Sequence, residues 1–445
     1  MFTGIIGCLL CSGIIAQDIP KQWTLEECIR YAIAHNISLK QSVREEESRK
    51  IELNTSLNSW LPNLNASVNQ NFGFGRSTSR EGLIEDRNSS GSTFNVGLNM
   101  PVFDGFKILN TISARKLNLM AATEALNKAK DDVAVGVASY FLQVLYNKEI
   151  MNIAELQVNL TKEQVTRTEA LVSAGKVPMS QLYDIKAQLA KDAVTLIETQ
   201  NNVKLALLDL AQTLELERLA ENFDIERPEL NDAVTDHMGS VLPPDLIYDN
   251  AVLVKPQIKE QEYLLESQRK MLKVAQADYY PSLNLGASYS NGYYRYFGSD
   301  EIITKPFSDQ FKENAQRGIG LNLNIPIFNR FSIRNNVRQA RVGIINRELM
   351  MENSKKTLYK EIQQAYYNST AALEKYMASE KSVTASKEAF SYAEERYATG
   401  KSTVFEYNDS KTKYAQSLSE QAQSKYNYIF RVKILDFYNG IPISL

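Results

Sequence analysis

Four stretches of this 445-residue chain alternate, residue by residue, between a greasy side and a small polar side, and any fold proposed for it has to house them. Leu64, Ala66, Val68, Gln70, Phe72 and Phe74 oppose Asn65, Ser67, Asn69, Asn71 and Gly73, while Phe94, Val96, Leu98, Met100 and Val102 oppose Thr93, Asn95, Gly97 and Asn99. Farther along, Leu283, Leu285, Ala287, Tyr289 and Tyr293 oppose Asn284, Gly286, Ser288, Ser290 and Gly292. Ile319, Leu321, Leu323, Ile325 and Ile327 oppose Gly320, Asn322 and Asn324. The flanks are aromatic, with Trp60, Phe103 and Phe106 in the first half and Tyr279, Tyr280, Tyr294, Tyr296, Phe328 and Phe331 in the second. Strands of about 9 to 11 residues, apolar outward and aromatic at the ends, are what a membrane-spanning barrel requires. The competing fold is a soluble sandwich with one wet face, but such a core rarely opposes so uniform a row of Asn, Ser and Gly.

Helices cannot supply a membrane contact. The chain is 44% apolar and 23% charged, with a mean hydropathy of −0.32. After residue 17 it has no apolar run approaching the roughly 18 to 20 residues of a spanning helix. Fifty basic against 52 acidic side chains leave a net charge of −2, which excludes a simple polyanion binder and hence a nucleic-acid partner. Length alone allows about three domains. Residues 1–16 are uncharged and carry the run from Ile5 to Leu10, so they read as a signal peptide cleaved after Ala16, although the usual basic beginning is missing. Cys8 and Cys11 lie there, which leaves Cys28 alone in the mature chain and no internal disulfide. Ile5-Ile6-Gly7-Cys8 is an imperfect match to a lipid-attachment box.

The chain is also internally duplicated. Pro101-Val102-Phe103-Asp104 matches Pro326-Ile327-Phe328-Asn329, and Ala174-Gly175-Lys176 matches Thr399-Gly400-Lys401, both at a spacing of 225 residues. Two copies are too few for a solenoid, so the spacing predicts pseudo-twofold symmetry: a first repeat at 17–216, a linker at 217–243 and a second repeat at 244–445. Each repeat holds a helix, a β-hairpin (64–103; 282–328), a long helix (108–173; 331–398) and a return helix (179–216; 403–439). The long segments lack proline and repeat small or apolar residues in steps of three and four, as at Val133, Val137, Tyr140 and Val144 or Leu358, Ile362 and Ala365. At 1.5 Å per residue each is roughly 100 Å long. Helices are also expected before each hairpin, at 24–58 and 244–279, the first opened by a Thr24-to-Glu27 capping box.

Four strands cannot enclose a lumen, and an open sheet in lipid leaves edge N–H and C=O groups unpaired at several kcal/mol each. Several chains must therefore share one barrel. Three copies give twelve strands, within the range of such barrels and wide enough for water. The expected fold is mainly α with transmembrane β: coiled-coil-like helices forming an α-barrel, joined to a trimeric twelve-stranded β-barrel.

With Trp23-Thr24-Leu25-Glu26-Glu27-Cys28-Ile29 near its start, Leu61-Pro62-Asn63-Leu64-Asn65 opening the first strand, both Pro-x-Phe-Asp/Asn strand exits and both hairpin tips, the chain resembles the TolC-like outer-membrane efflux and secretion channels over nearly its whole mature length. The resemblance implies a homotrimer with its barrel in outer-membrane lipid and its helices in the periplasm. It implies an equatorial belt made of residues 17–23, 217–243 and the segment from Asp436. It also implies a periplasmic adaptor as partner and an inner-membrane RND or ABC transporter as the source of solute. Glu406 and Asp409 fall on positions the family uses for acidic rings, so threefold symmetry implies six carboxylates at the periplasmic constriction, favouring cations and raising their own pKa. Glu406 is also placed to close a Thr403 capping box. Tyr397 matches a tyrosine that latches the closed state, or is an ordinary packing aromatic. Ser402 and Gln181 stand where the family's arginine–aspartate lock would be, so that ion pair is not expected. Gly175, Lys176, Gly400 and Lys401 form the tips that resemble adaptor-docking ends, with the glycines suited to positive φ.

No cofactor, metal or catalytic site is expected. Gly400-Lys401-Ser402-Thr403 resembles the end of a phosphate loop, but Glu395 stands where its first glycine belongs. His35 and His237 are the only histidines, far apart and without cysteine partners for zinc. No nucleophile elbow appears. The reading is a passive exit duct of a tripartite efflux pump, not an enzyme. Its rivals are the exit channel of a type I protein secretion system and a periplasmic coiled-coil scaffold without a pore.

Overall fold

The computed structural model describes residues 22–78, 82, 84–86, 88–216, 223–228, 242–297 and 305–444. The expected signal at 1–16, His237 and most of the linker at 217–243 lie outside the described residues. The chain divides into two compact units, each drawing on both halves of the sequence: one takes Gln41–Lys128 and Val252–Leu358, the other Met1–Lys40, Ala129–Ala251 and Tyr359–Leu445.

The first unit contains a four-stranded antiparallel sheet of β1 (Asn63–Gly73), β2 (Asn88–Phe103), β3 (Ser282–Phe297) and β4 (Gln316–Asn324), in that spatial order. Its register brings the greasy residues onto one face: Val68 opposes Phe94, Leu64 opposes Leu98, Leu98 opposes Ala287, and Leu285 opposes Leu321. Because side chains alternate across a strand, this pairing also gathers Asn65, Asn95, Asn99, Asn284 and Asn322 on the opposite face, which is concave. The greasy face is uncovered over much of its area, with Ile319 85% and Leu64 67% exposed. β4 stops at Asn324 rather than running on through Ile327, since Pro326 has no N–H to offer a ladder. β2 does continue through its own proline, with a register shift between Pro101 and Phe103.

β3 outruns β4, whose pairing with it ends at Ser290 opposite Gln316. There α7 (Phe307–Glu313) stands in for a strand. Tyr294 N–H donates to Gln310 Oε1 and Gln310 Nε2 donates to Tyr294 C=O, both at 2.9 Å, while Asn314 Nδ2 donates to Gly292 C=O at 2.7 Å. A side-chain amide thus satisfies an edge that would otherwise invite another chain.

Both strand-to-helix junctions use the same backbone device. Gly105 and Phe106 have φ of 66° and 67°, and Arg330 and Phe331 have φ of 54° and 63°. In each, two phenylalanines meet edge to face: Phe103 with Phe106 at 5.4 Å, Phe328 with Phe331 at 5.5 Å. The long helices α3 (Lys107–Ser173) and α8 (Ser332–Ala398) follow, each of 67 residues. The return helices α4 (Met179–Thr213) and α9 (Val404–Tyr438) have 35 residues each, a little shorter than expected.

The helices before the hairpins are not continuous as the sequence suggests. The first breaks at Asn36 into α1 (Leu25–His35) and α2 (Ile37–Leu57), and the second breaks at Lys255 into α5 (Pro244–Val254) and α6 (Pro256–Ala277). Asn36 Oδ1 accepts from Leu39 N–H at 3.1 Å, so its side chain restarts the helix. Pro256 does the same by opening the first turn of α6. The Thr24–Glu27 capping box is formed. Among the described residues no helix is long and apolar enough to cross a membrane.

The second unit is cored by Trp23, Phe141, Leu145, Leu210, Leu214, Ile225 and Tyr428, with Ile443 at its edge. Trp23 N–H donates to Asp224 C=O and Glu226 N–H to Trp23 C=O, both at 3.0 Å. The described parts of the three segments expected in the belt therefore meet in one cluster. Cys28 is fully buried there, and burial pushes its thiol up to about 12, which makes it inert.

Candidate functional site

The two hairpin tips are built alike. Gly175 and Gly400 end their helices at φ of 68° and 71°. Lys176 N–H returns to Leu171 C=O at 2.9 Å and Lys401 N–H to Arg396 C=O at 2.8 Å. These are left-handed caps of the kind the Ala-Gly-Lys and Thr-Gly-Lys triplets predict. Lys176 and Lys401 are both exposed beside them.

At the start of α9 the Thr403 capping box forms: Glu406 N–H donates to Thr403 Oγ1 and Thr403 N–H to the Glu406 carboxylate, each at 3.3 Å. Ser402 Oγ donates to the same carboxylate, so Ser402 is engaged with Glu406 and not with Gln181, which is half-buried at the start of α4. These two hydrogen bonds, aided by Arg396, hold the Glu406 carboxyl below its usual range. That is opposite in sign to the rise the sequence anticipates from a carboxylate ring, because a single chain contains the donors and not the sister carboxylates. Asp409 lies one turn on and pairs with Lys413 at 2.7 Å on the exposed face of α9.

Tyr397 packs against a small core of Val165, Leu182, Ile185 and Val404 that joins the two hairpins. Its ring stacks on Tyr407 at 5.2 Å. Tyr407 is buried in turn against Phe390. Burial, with Glu394 second, pushes its phenol up to about 12 and keeps it neutral. Arg167 of α3 donates to the last carbonyl of α8, Ala398 C=O, at 3.1 Å.

A buried joint between the hairpins is one that sequence reading missed. Lys411 of α9 is 1% exposed and its Nζ lies 2.7 Å from the Asp192 carboxylate of α4. Thr161 of α3 lies 2.5 Å from both, and Gln188 Nε2 donates to the other Asp192 oxygen at 2.7 Å. A signal existed. Lys411 continues the buried stripe of Val404 and Tyr407, and Asp192 continues that of Leu182, Ile185 and Leu189, so both charges stand at core positions. Gln157 and Gln164 flank Thr161 on α3, and the buried Nε2 of each has no partner among the described residues. A seam with unmet donors costs less to part than a fully satisfied one.

The model of the family described as "Outer membrane efflux protein" matches residues 28–214 and again 247–438. The chain is 19% identical over 420 residues to the outer membrane protein TolC of Escherichia coli, covering 93% of this chain and 81% of that protein. It is 24% identical over 419 residues to the pyoverdine export outer membrane protein OpmQ of Pseudomonas aeruginosa, covering 87% of this chain and 80% of OpmQ. In fold it is similar to the outer membrane protein VceC of Vibrio cholerae, with a TM-score of 0.72 at 15% identity, over 94% of this chain and 96% of that one. The two stretches matched by the family model take in most of the sequence, and the chain belongs to the outer membrane efflux protein family.

Proposed function

We propose that three copies of this chain close a twelve-stranded barrel in the outer membrane and serve as the passive exit duct of a tripartite efflux pump. One observation carries the reading: a four-stranded sheet whose register leaves a greasy face uncovered over much of its area and a small, polar concave face without charge among the described residues. In lipid such a sheet is stable only when its two edge strands, β1 and β4, find partners, and sister copies supply them. The equal lengths of the paired helices and the shared junction backbone support the pseudo-twofold repeat. Solute comes from an inner-membrane RND or ABC transporter through a periplasmic adaptor seated on the Gly175-Lys176 and Gly400-Lys401 tips. The transport energy belongs to that pump. Native mass spectrometry of the detergent-extracted chain is expected to show a trimer, and the trimer is expected to conduct in planar bilayers. A monomer, or a trimer without conductance, overturns the reading and leaves a scaffold.

Glu406 and Asp409 form the gate ring in this reading, with Tyr397, Ser402 and Gln181 packing the closed tip. The lowered Glu406 pKa means its capping contribution is present above the ordinary carboxyl value and is lost as pH falls through the folded value, so the group is charged at neutral pH. Glu406→Gln with Asp409→Asn is expected to lower cation preference and weaken block by multivalent cations, read as reversal potential in a salt gradient. Unchanged selectivity places both groups outside the lumen.

A further inference from the structure

Between Asn329 and Glu348 the chain has five arginines and no Asp or Glu, although its total charge is nearly balanced. Four of them, Arg330, Arg334, Arg338 and Arg341, follow one another in steps of four, four and three, and so occupy one face from the junction into the first turns of α8. All four are exposed. Among the described residues none of the four meets a carboxylate. The contrast with α3 is direct: there Lys107 pairs with Asp278 at 2.7 Å and Arg115 with Glu52 at 2.9 Å.

Apolar surface adjoins this stripe. β4 hands over to α8 through Ile327, 94% exposed, and through exposed Phe328 and Phe331. The Arg334 guanidinium sits over the Phe331 ring at 5.8 Å, so the basic face and the exposed aromatic share a side. Exposed phenylalanine beside the greasy face of β4 fits hydrocarbon and not a water-filled lumen, and none of the described residues lining the concave polar face is charged. Helical side chains also lean toward their helix N-terminus, which carries the guanidinium groups back toward the strand.

Resting on the reading of β4 as lipid-facing, we infer that the Arg330–Arg334–Arg338–Arg341 face of α8 binds the phosphate groups of anionic phospholipid in the leaflet next to the helices. Acyl chains lie along β4, and guanidinium forks suit phosphate oxygens.

The test uses the full chain in nanodiscs of equal phosphatidylglycerol and phosphatidylcholine, with the lipid retained after mild detergent extraction counted by mass spectrometry. Wild type is expected to retain phosphatidylglycerol over phosphatidylcholine, and less of it at high salt. Arg334→Gln with Arg338→Gln and Arg341→Gln is expected to lose at least about tenfold of the retained phosphatidylglycerol, with reversal potential unchanged, while the triple Lys variant keeps most of it. No preference in wild type overturns the inference whether or not the variants fold. Unchanged retention in the Gln variant overturns it too, and a shifted reversal potential then places the arginines in the lumen. Wild type that retains the lipid but never conducts defeats the duct and leaves the lipid site standing.

Discussion

Replacing Lys411 by methionine is expected to destabilise the helical unit by about 3 to 5 kcal/mol, because the change strands the Asp192 carboxylate, 11% exposed, without its counter-ion. Asp192→Leu alone is expected to cost a similar amount for the converse reason. The double variant Lys411→Met, Asp192→Leu should recover most of the loss, since two apolar groups of matching size need no desolvation compensation. A double-mutant cycle on the thermal midpoint, in detergent, measures the coupling. Near-additive single effects sink the idea and mean water reaches the pair. The same cycle read by conductance reports on the joint, for Lys411 and Asp192 lie 219 residues apart and tie the return helix of one hairpin to that of the other.

The second large effect is expected at Gly105. A Cβ there would stand 2.7 Å from Ala277 O and 2.8 Å from Tyr280 Cβ, and the backbone is left-handed as well. Gly105→Ala is therefore expected to cost about 2 to 5 kcal/mol, the sum of about 1 to 2 for the conformation and about 1 to 3 for overpacking. Gly400→Ala makes the control: its φ is similar, at +71°, but no described residue lies within 4 Å of the added carbon. It is expected to cost only about 1 to 2 kcal/mol. Equal losses in thermal unfolding would show that the Ala277–Tyr280 corner yields, and that conformation alone matters.

Most of the architecture was legible before any coordinates. Period-two alternation in 64–74 and 319–327 reports which face of a strand is greasy, and a proline-free stripe in 108–173 reports a long helix, because both are properties of neighbouring residues. The breaks at Asn36 and Lys255 were missed, although Pro256 announced one of them; apolar spacing continues across each, so periodicity alone reads straight through. At the tip, the Thr403–Glu406 box and the glycine caps were visible as local motifs. The Ser402–Glu406 hydrogen bond and the Tyr397–Tyr407 stack were not, since they depend on how the turn folds back.

By itself, then, the amino-acid order determined the strands, the long helices, the turn glycines and the insufficiency of four strands for a pore, all of them consequences of short-range periodicity and of backbone groups needing partners. Only the tertiary structure decided which charges are buried and which are left exposed. Lys411 and Arg338 both carry a full charge on a long helix; one meets a carboxylate contributed by a distant helix, the other meets none among the described residues. That difference lies in what the packing brings alongside, which no local pattern encodes.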